Sequence, residues 1–513
     1  MSFNFNTDSL YDKILGCWTG KNIGGTLGTP FEGTREMPEV DFYTEELNGE
    51  PLANDDLDLQ LIWLYAAEQK GVYGLTPRVL AEYWLNYEGA PMGEYRNCIA
   101  NIVNGLYPPL SGSCNNNDWR WSNGAWIRSE IWASIFPGSP DDAARCAYMD
   151  ACADHEGEGI WAEVFTAALE SIAFVESDLE KAIALALARI TPDCRIAASV
   201  RKAQELYHSG VDLVTARQKI VELNSDTGFF QAPQNIGFVV LALLYGEGDF
   251  GKTICDAVRC GDDTDCTAAT AGAIMGIIAG RSSLPAKWCK AIGDKIITKC
   301  ISGFGMPTPR DLPELARRTI DVARLAIAEN PGLINISDAP EQLEGFEIPA
   351  SSKMAEIIGK RSPFEVMLET PFCRVGVDLE GGVEAAPGET KKLRFKLYDI
   401  ASVMGNLKIE MMLPESWSCK QGNCIQISGS CIGPQGGEAD VEITIGEIAE
   451  DMIYIPLKFT LLNRRMPEVK MLPFQRRGSV DDRLLIRNND DFVRQMNRRG
   501  RFNYDTCLSE LNF

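Results

Sequence analysis

Residues 261–280 read Gly-Asp-Asp-Thr-Asp-Cys-Thr-Ala-Ala-Thr-Ala-Gly-Ala-Ile-Met-Gly-Ile-Ile-Ala-Gly, a cluster of acids followed by a long run of small and apolar residues. Residues 268–279 are nearly all small or apolar, which predicts a buried helix. Burial of that helix carries the carboxylates of Asp262, Asp263 and Asp265 toward the interior. Buried carboxylates are costly unless a cation matches them or a proton neutralises them. The stretch therefore predicts a buried helix whose acidic start is a candidate cation site.

A second acidic stretch, residues 54–58, reads Asn-Asp-Asp-Leu-Asp and precedes the apolar residues 59–67. Asn54 suits a helix N-cap and acids suit the first turn, so capping alone would explain the segment. Three carboxylates in four residues nevertheless exceed what capping needs. Two acidic helix starts aimed inward would form an all-oxygen cage for a hard divalent ion, and Mg²⁺ is the natural candidate because no imidazole is nearby in sequence.

Four glycines recur at every fourth position near the N-terminus: Gly16, Gly20, Gly24 and Gly28. This spacing places them along one helix face, where another helix or a ligand can approach closely. Both interpretations remain open from the sequence. Glu32 follows on a loop after Thr29-Pro30, in a position where an acid is usually only solvated.

The chain changes character near residue 345. Before it, apolar spacing and Ala/Leu/Val-rich segments predict a large all-α domain over residues 1–345. After it, short alternating segments bounded by turns predict a small β-sandwich over 346–465. They lie at 372–379, 390–398, 407–413, 425–430, 439–445 and 452–462. The last segment, 466–513, is expected to be a basic tail that packs on the acidic helical domain or against a second subunit.

Composition excludes several classes of protein. The 513 residues are 45% hydrophobic and 24% charged, which excludes a disordered chain, a collagen-like fibre and a disulfide miniprotein. The net charge of −23 disfavours nucleic acid and membrane surfaces as partners and favours a small molecule or a cation. Two histidines exclude a His-rich metal site.

The cysteines and apolar runs bear on the compartment. The 16 cysteines form no CxxC pair, so we expect most of them to be free, buried, small hydrophobes. Residues 1–10 show no signal-peptide pattern. The longest apolar runs, 236–245 and 268–279, fall short of the ~20 residues that span a bilayer. A soluble, cytoplasmic protein is expected.

Five ordered blocks of sequence resemble the ADP-ribosylglycohydrolases of the dinitrogenase-reductase-activating type. They lie within the first ~300 residues, at 11–32, 54–56, 122–125 (followed by Arg128), 154–155 and 263–273. The last block, Asp-Thr-Asp-Cys-Thr-Ala-Ala-Thr-Ala-Gly-Ala, is the most specific. The resemblance implies an orthogonal bundle of many helices with two Mg²⁺ ions in a cleft, Mn²⁺ being an alternative. It also implies hydrolysis of the glycosidic bond at C1″ of ADP-ribose attached to a protein side chain or a small acceptor.

The resemblance also implies roles for individual residues. The metal ligands would be Asn54, Asp55, Asp56, Asp263, Asp265 and Cys266. Glu32 would be the mobile acid at the mouth of the cleft, and either Glu32 or Asp56 would be the general base. The substrate's ribose-phosphate part would contact Ser122, Asn123, Gly124, Ala125 and His155.

Four positions of the metal-site blocks depart from the family pattern. Asn54 stands where the family has Thr or Ser, and its amide oxygen can still serve as a ligand. Cys266 puts sulfur, a poor Mg²⁺ ligand, where the family has a hydroxyl. Leu57 replaces a Thr, and Asp58 adds a carboxylate that could share a helix face with Asp55. These departures predict a remodelled metal site.

An aromatic loop, residues 115–126, supports a related alternative. Its Trp119 and Trp121 lie between polar residues, as in sites where rings stack on sugars or adenine, although a packing role would also explain them. Together with the β-sandwich, they favour a glycosidase of the same fold acting on another sugar. A third alternative is a non-catalytic ADP-ribose- or sugar-binding protein, which Cys266 and Leu57 support.

Overall fold

The computed structural model describes residues 3–89, 93–302, 305–330, 334–400, 406–428, 437–462 and 464–479. The chain divides into two compact units. The first contains the described residues of Met1–Arg96 and Asp118–Lys360. The second contains those of Asn97–Asn117 and Arg361–Phe502.

Helices dominate the chain up to residue 360. Over the described ranges they are α1 (Thr7–Gly28), α2 (Asp55–Lys70), α3 (Pro77–Tyr87), α4 (Gly93–Val103), α5 (Leu110–Ser113), α6 (Glu130–Ile135), α7 (Pro140–Ala151), α8 (Glu158–Ala173), α9 (Leu179–Leu187), α10 (Arg195–His208), α11 (Leu213–Leu223), α12 (Ala232–Tyr245), α13 (Phe250–Arg259), α14 (Thr264–Ala279), α15 (Ala286–Ile292), α16 (Leu312–Glu329) and α17 (Met354–Gly359). The predicted helical region is thereby confirmed, with one addition. Strands β1 (Asn4–Asn6) and β2 (Asn335–Ser337) pair in parallel.

Helices α1 and α14 pack backbone to backbone. A Cβ atom added at Gly20 would lie 2.0 Å from the carbonyl oxygen of Gly272. One added at Gly28 would lie 2.2 Å from that of Thr264, whose hydroxyl donates a 2.8 Å hydrogen bond to the Gly28 carbonyl. Helix packing therefore explains the glycine spacing in α1. It places the start of α14 beside the end of α1.

The second unit is rich in β-strands. They are β3 (Glu365–Thr370), β4 (Cys373–Leu379), β5 (Glu384–Ala385), β6 (Thr390–Ile400), β7 (Asn406–Met411), β8 (Ser418–Cys419), β9 (Cys424–Ser428), β10 (Glu438–Thr444), β11 (Met452–Leu461) and β12 (Glu468–Arg476). Among the described residues they form two five-stranded sheets, ordered β3-β4-β6-β10-β8 and β5-β12-β11-β7-β9. Buried residues of both sheets belong to one hydrophobic core, as the predicted sandwich requires.

The boundaries of the second unit differ from the predicted ones. Its core also contains Leu106 and Leu110, which come from the helical part of the sequence. Strand β12 lies in the segment predicted to be a basic tail, where its charges obscure a run of buried residues. The sandwich thus extends past 465, and residues 480–513 of the predicted tail lie outside the described residues.

Two further expectations can be compared with the structure. The thiols of Cys17, Cys146, Cys255, Cys266 and Cys289 are free and buried, as predicted. Over the described ranges, every helix is too short or too polar to cross a membrane.

Candidate metal centre

Two acidic helix starts meet at one point in the first unit. Asn54 caps α2, where its Oδ1 accepts a 2.7 Å hydrogen bond from the Asp56 backbone N–H. Asp263 occupies the N-cap position of α14. The Cys266 thiol, in the first turn of α14, donates to Asp56 Oδ1 across 3.3 Å and so joins the two starts.

The donor atoms at this point are close enough to share an ion. One ligand atom each from Asp263, Asp265 and Cys266 lies within 4.8 Å of the others, and all three residues are buried. Asp56 is only 1% exposed. Its Oδ2 has no hydrogen-bond partner within the part of the chain that the structure describes. A buried carboxylate oxygen without a donor is the feature that a cation would satisfy.

Mutual repulsion marks this cluster of carboxylates. Burial raises the pKa of Asp263 well above its ordinary value, and the neighbouring Asp265 adds to the shift. Burial also raises the pKa of Asp56, opposed by the charge of Lys21. Glu32 is exposed on the loop after α1. The negative charge of the Asp265 carboxylate raises the pKa of Glu32 to about 8. Positive charge supplied here would relieve the repulsion and lower each of these values.

The loop predicted to bind substrate contacts the cluster. The Asn123 amide donates a 2.7 Å hydrogen bond to Asp263 Oδ2, and Trp126 Nε1 donates to Asn123 Oδ1. Ser122 Oγ lies 2.9 Å from His155 Nε2. Gly124 and Ala125 are buried beside them. The predicted loop and His155 therefore form one connected network that reaches the carboxylates.

Arg128 holds the aspartate that contacts His155 in this network. Arg128 donates two hydrogen bonds to Asp154, of 2.7 and 2.8 Å, and one of 2.9 Å to Asp150 Oδ1. Asp154 Oδ1 in turn lies 2.7 Å from His155 Nδ1. Burial opposes ionisation of Asp154, but Arg128 and His155 hold the pKa of its carboxyl below the usual range.

Two lysines near the cluster were not predicted from the sequence. Lys299 Nζ lies 3.0 Å from Asp55 Oδ1. Lys21 is buried and pairs with Glu130 at 2.7 Å, and Gln60 also donates to Glu130. Lys21 lies within the glycine-rich block at 11–32 but has no assigned role there, and Lys299 lies outside all five blocks, so only the tertiary fold reveals their partners.

The structure shows what two of the residues that depart from the family pattern contact. Asp58 does not join the Asp263–Asp265 cluster, because its Oδ2 accepts backbone hydrogen bonds from Lys299 and Cys300. Asn54 Oδ1 is engaged as the cap of α2.

The two loop tryptophans have packing partners. A Cβ added at Gly93 would lie 2.4 Å from the Trp119 ring. The Trp121 ring faces the guanidinium groups of Arg120 and Arg195, at 5.1 and 5.7 Å from its centroid. Both tryptophans are half-buried. Packing therefore accounts for much of the buried surface of each ring.

Comparison with sequence models of known families identifies one family. The sequence model described as ADP-ribosylglycohydrolase matches residues 6–328. A solved structure described as "ADP-ribosylglycohydrolase-related protein complex" is similar at 18% identity and a TM-score of 0.41, over 62% of this chain and 99% of that one. No curated protein matches the chain.

Proposed function

The chain belongs to the ADP-ribosylglycohydrolase family, and from this premise we propose that it is a divalent-metal-dependent glycohydrolase. Its substrate would be ADP-ribose joined through C1″ to a protein side chain or a small acceptor. Mg²⁺ is the proposed ion, and Mn²⁺ is the alternative.

The observation that supports the proposal is the buried set of oxygen donors where α2 meets α14. Asp263 and Asp265 group with Cys266, whose thiol contacts Asp56, and the Oδ2 of Asp56 is buried and has no partner among the described residues. These residues fit a hard cation, and Asp55 lies beside them. When bound there, such an ion polarises substrate oxygens and makes water more acidic.

Glu32 is the better placed of the two proposed general bases. Asp56 is buried, and one of its oxygens already accepts from the Cys266 thiol. Glu32 is exposed, on the loop that follows the glycine-packed end of α1, and feels the charge of Asp265. In this proposal the Glu32 carboxylate takes a proton from water as that water attacks C1″, the bond from C1″ to the acceptor breaks, and Glu32 returns the proton to the departing acceptor.

The buried loop would hold the ribose-phosphate part of the substrate. His155 Nδ1 lies 2.7 Å from Asp154 Oδ1 and its Nε2 lies 2.9 Å from the Ser122 hydroxyl, so the ring is held at both nitrogens. Asn123 would couple substrate contacts to Asp263 through its amide hydrogen bond. Trp119 and Trp121 remain proposed contacts at the edge of this loop.

A release assay tests the proposal against its alternatives. The full chain would be incubated with Mg²⁺ and, separately, ADP-ribosylated arginine, ADP-ribosylated serine and a panel of glycosides. Metal-dependent release of free ADP-ribose is expected. Release of a free sugar from a glycoside instead would indicate the glycosidase alternative, and tight ligand binding without turnover would indicate the binding protein.

Two matched variants test the assignment of the base. Glu32→Gln should lose turnover while retaining metal binding, because its side chain is outside the buried donor set. Asp56→Asn should lose both. A Glu32→Gln enzyme with full turnover would overturn the assignment of Glu32.

A further inference from the structure

Lys299 brings a fixed positive charge to the candidate metal centre. Its Nζ lies 3.0 Å from Asp55 Oδ1, and its side chain is only 22% exposed. The ammonium group therefore forms an ion pair with Asp55 at the edge of the carboxylate cluster.

Asp58 fixes the backbone from which Lys299 extends. Its side chain is fully buried, and its Oδ2 accepts hydrogen bonds from the backbone N–H groups of Lys299 and Cys300, the latter at 2.8 Å. A carboxylate that accepts two backbone donors orients the segment strongly. The extra carboxylate of α2 thus positions the lysine.

Cys266 occupies the other side of the aspartate pair. Its thiol donates to Asp56 Oδ1 at 3.3 Å, and sulfur is a poor ligand for a hard cation. Asp55 therefore has an ammonium partner, and one oxygen of Asp56 has a thiol partner. Among the described residues, the buried and unpartnered oxygen that remains on this pair is Asp56 Oδ2, and the Cys266 thiol that contacts the other Asp56 oxygen groups with Asp263 and Asp265.

We propose that the Lys299 ammonium takes the place of one of the two divalent ions that the family resemblance implies, so that this chain binds a single ion. The inference rests on the metal dependence in the proposed function. The ion would be held by Asp56, Asp263 and Asp265, and Lys299 would neutralise Asp55. Lys299 is in this view a positioning and charge-balancing residue.

The test is the number of Mn²⁺ ions bound per chain, measured by equilibrium dialysis with elemental analysis and by electron paramagnetic resonance. The full wild-type chain should bind one Mn²⁺ and show the signal of an isolated ion. Lys299→Met should bind two, because it frees Asp55 and removes a competing charge. Lys299→Gln should behave as Lys299→Met does, which provides a second neutral variant if one of them folds poorly.

Two control variants complete the test: one keeps the positive charge at residue 299, and the other removes a different lysine. Lys299→Arg retains a cation beside Asp55 and should still bind one ion. Lys295→Met removes an exposed lysine of the same segment that pairs with Glu50, and it should also leave one ion bound.

The outcomes separate the two proposals. Two ions in the wild-type chain, or one ion in both neutral Lys299 variants, would overturn the single-ion inference and leave the metal-dependent function standing. No bound Mn²⁺ in the wild-type chain would overturn both.

Discussion

Two of the buried carboxylate clusters described in the first unit differ in one respect. In the arginine-paired cluster, Asp150 and Asp154 share the guanidinium of Arg128, which donates to both of them. In the metal-centre cluster, Asp56, Asp263 and Asp265 have the neutral donors of a thiol, an amide and a backbone N–H.

The difference separates structure from function. A buried carboxylate with its own guanidinium is complete, and its role is to hold neighbouring groups in position. Under the proposed function, a buried carboxylate that repels its neighbours and keeps an unpartnered oxygen binds a cation from outside the chain. Removal of charge should therefore have opposite effects in the two clusters.

The largest expected effect is the loss of Arg128. Arg128→Met leaves Asp150 and Asp154 buried without their cation, which should cost about 3–5 kcal/mol of unfolding free energy. Denaturant unfolding measures this loss. Arg310→Met, which removes an exposed arginine paired with Glu314, should leave the unfolding midpoint unchanged. If the two variants unfold at the same denaturant concentration, the arginine-paired cluster is not structural.

The next effect is the response to metal. At a free Mg²⁺ concentration 100 times Kd, binding to the folded state should add about 2.7 kcal/mol of stability. Asp265→Asn should lose this response and the activity, yet without metal it should be as stable as wild type or more so, because it relieves repulsion.

Thermal unfolding with and without Mg²⁺ measures both the stabilisation by the ion and the stability of the metal-free protein. Asp212→Asn is the matched control, because it changes an exposed N-cap aspartate of α11 to an equally good cap. It should keep the full Mg²⁺ response. An Asp265→Asn protein that keeps metal-dependent activity would contradict the site assignment.

Cys266→Thr should have a smaller effect in the same cluster. The hydroxyl restores the family's oxygen donor, so the affinity for Mg²⁺ should rise roughly tenfold, or about 1.4 kcal/mol. Isothermal titration calorimetry measures the change. Cys260→Ser, at a buried cysteine outside the donor set, should leave the affinity unaltered. Weaker binding by Cys266→Thr would show that the thiol itself is a ligand.

The smallest effect concerns Glu163, beside Asp150. Burial and then the Asp150 charge raise the pKa of Glu163 well above its ordinary value. An acid whose folded-state pKa is raised stabilises the fold at low pH, and this contribution is lost as the pH rises through that value. Glu163→Gln should therefore differ from wild type by less than about 1 kcal/mol near pH 5, which is close to the ordinary pKa of the acid, and should gain on wild type as the pH rises. Unfolding midpoints from pH 5 to pH 9 test the sign, and a variant that loses ground with rising pH would show that Glu163 is ionised in the fold.

The sequence allowed a correct prediction where the functional residues and the helix that buries them are neighbours in the chain. The acids at residues 54–58 and 262–265 stand directly before apolar helices, so their burial could be predicted from neighbours in the chain. The glycine spacing of α1 predicted close approach, and α14 proved to be the partner because Gly272 and Gly276 repeat the same spacing.

What escaped prediction depends on contacts between distant residues. Lys299 stands more than 200 positions from Asp55, in a segment with no pattern of its own. The partner of Asp58 escaped for the same reason, because backbone N–H groups leave no signature in a sequence. Strand β12 was assigned to a basic tail because its flanking charges outweighed its short buried run.

The placement of Leu106 and Leu110 bears on how this protein can be divided, by a protease, a gene fusion or an experimenter. Both side chains are at most 1% exposed in the core they share with the strands of the second unit. A chain cut near residue 345 would leave these leucines without the sheets that cover them, and burial of each is worth roughly 1.5–3 kcal/mol. The β-rich region therefore cannot be removed cleanly by a cut near residue 345. A truncation, fusion or domain exchange should keep it together with the 97–117 segment.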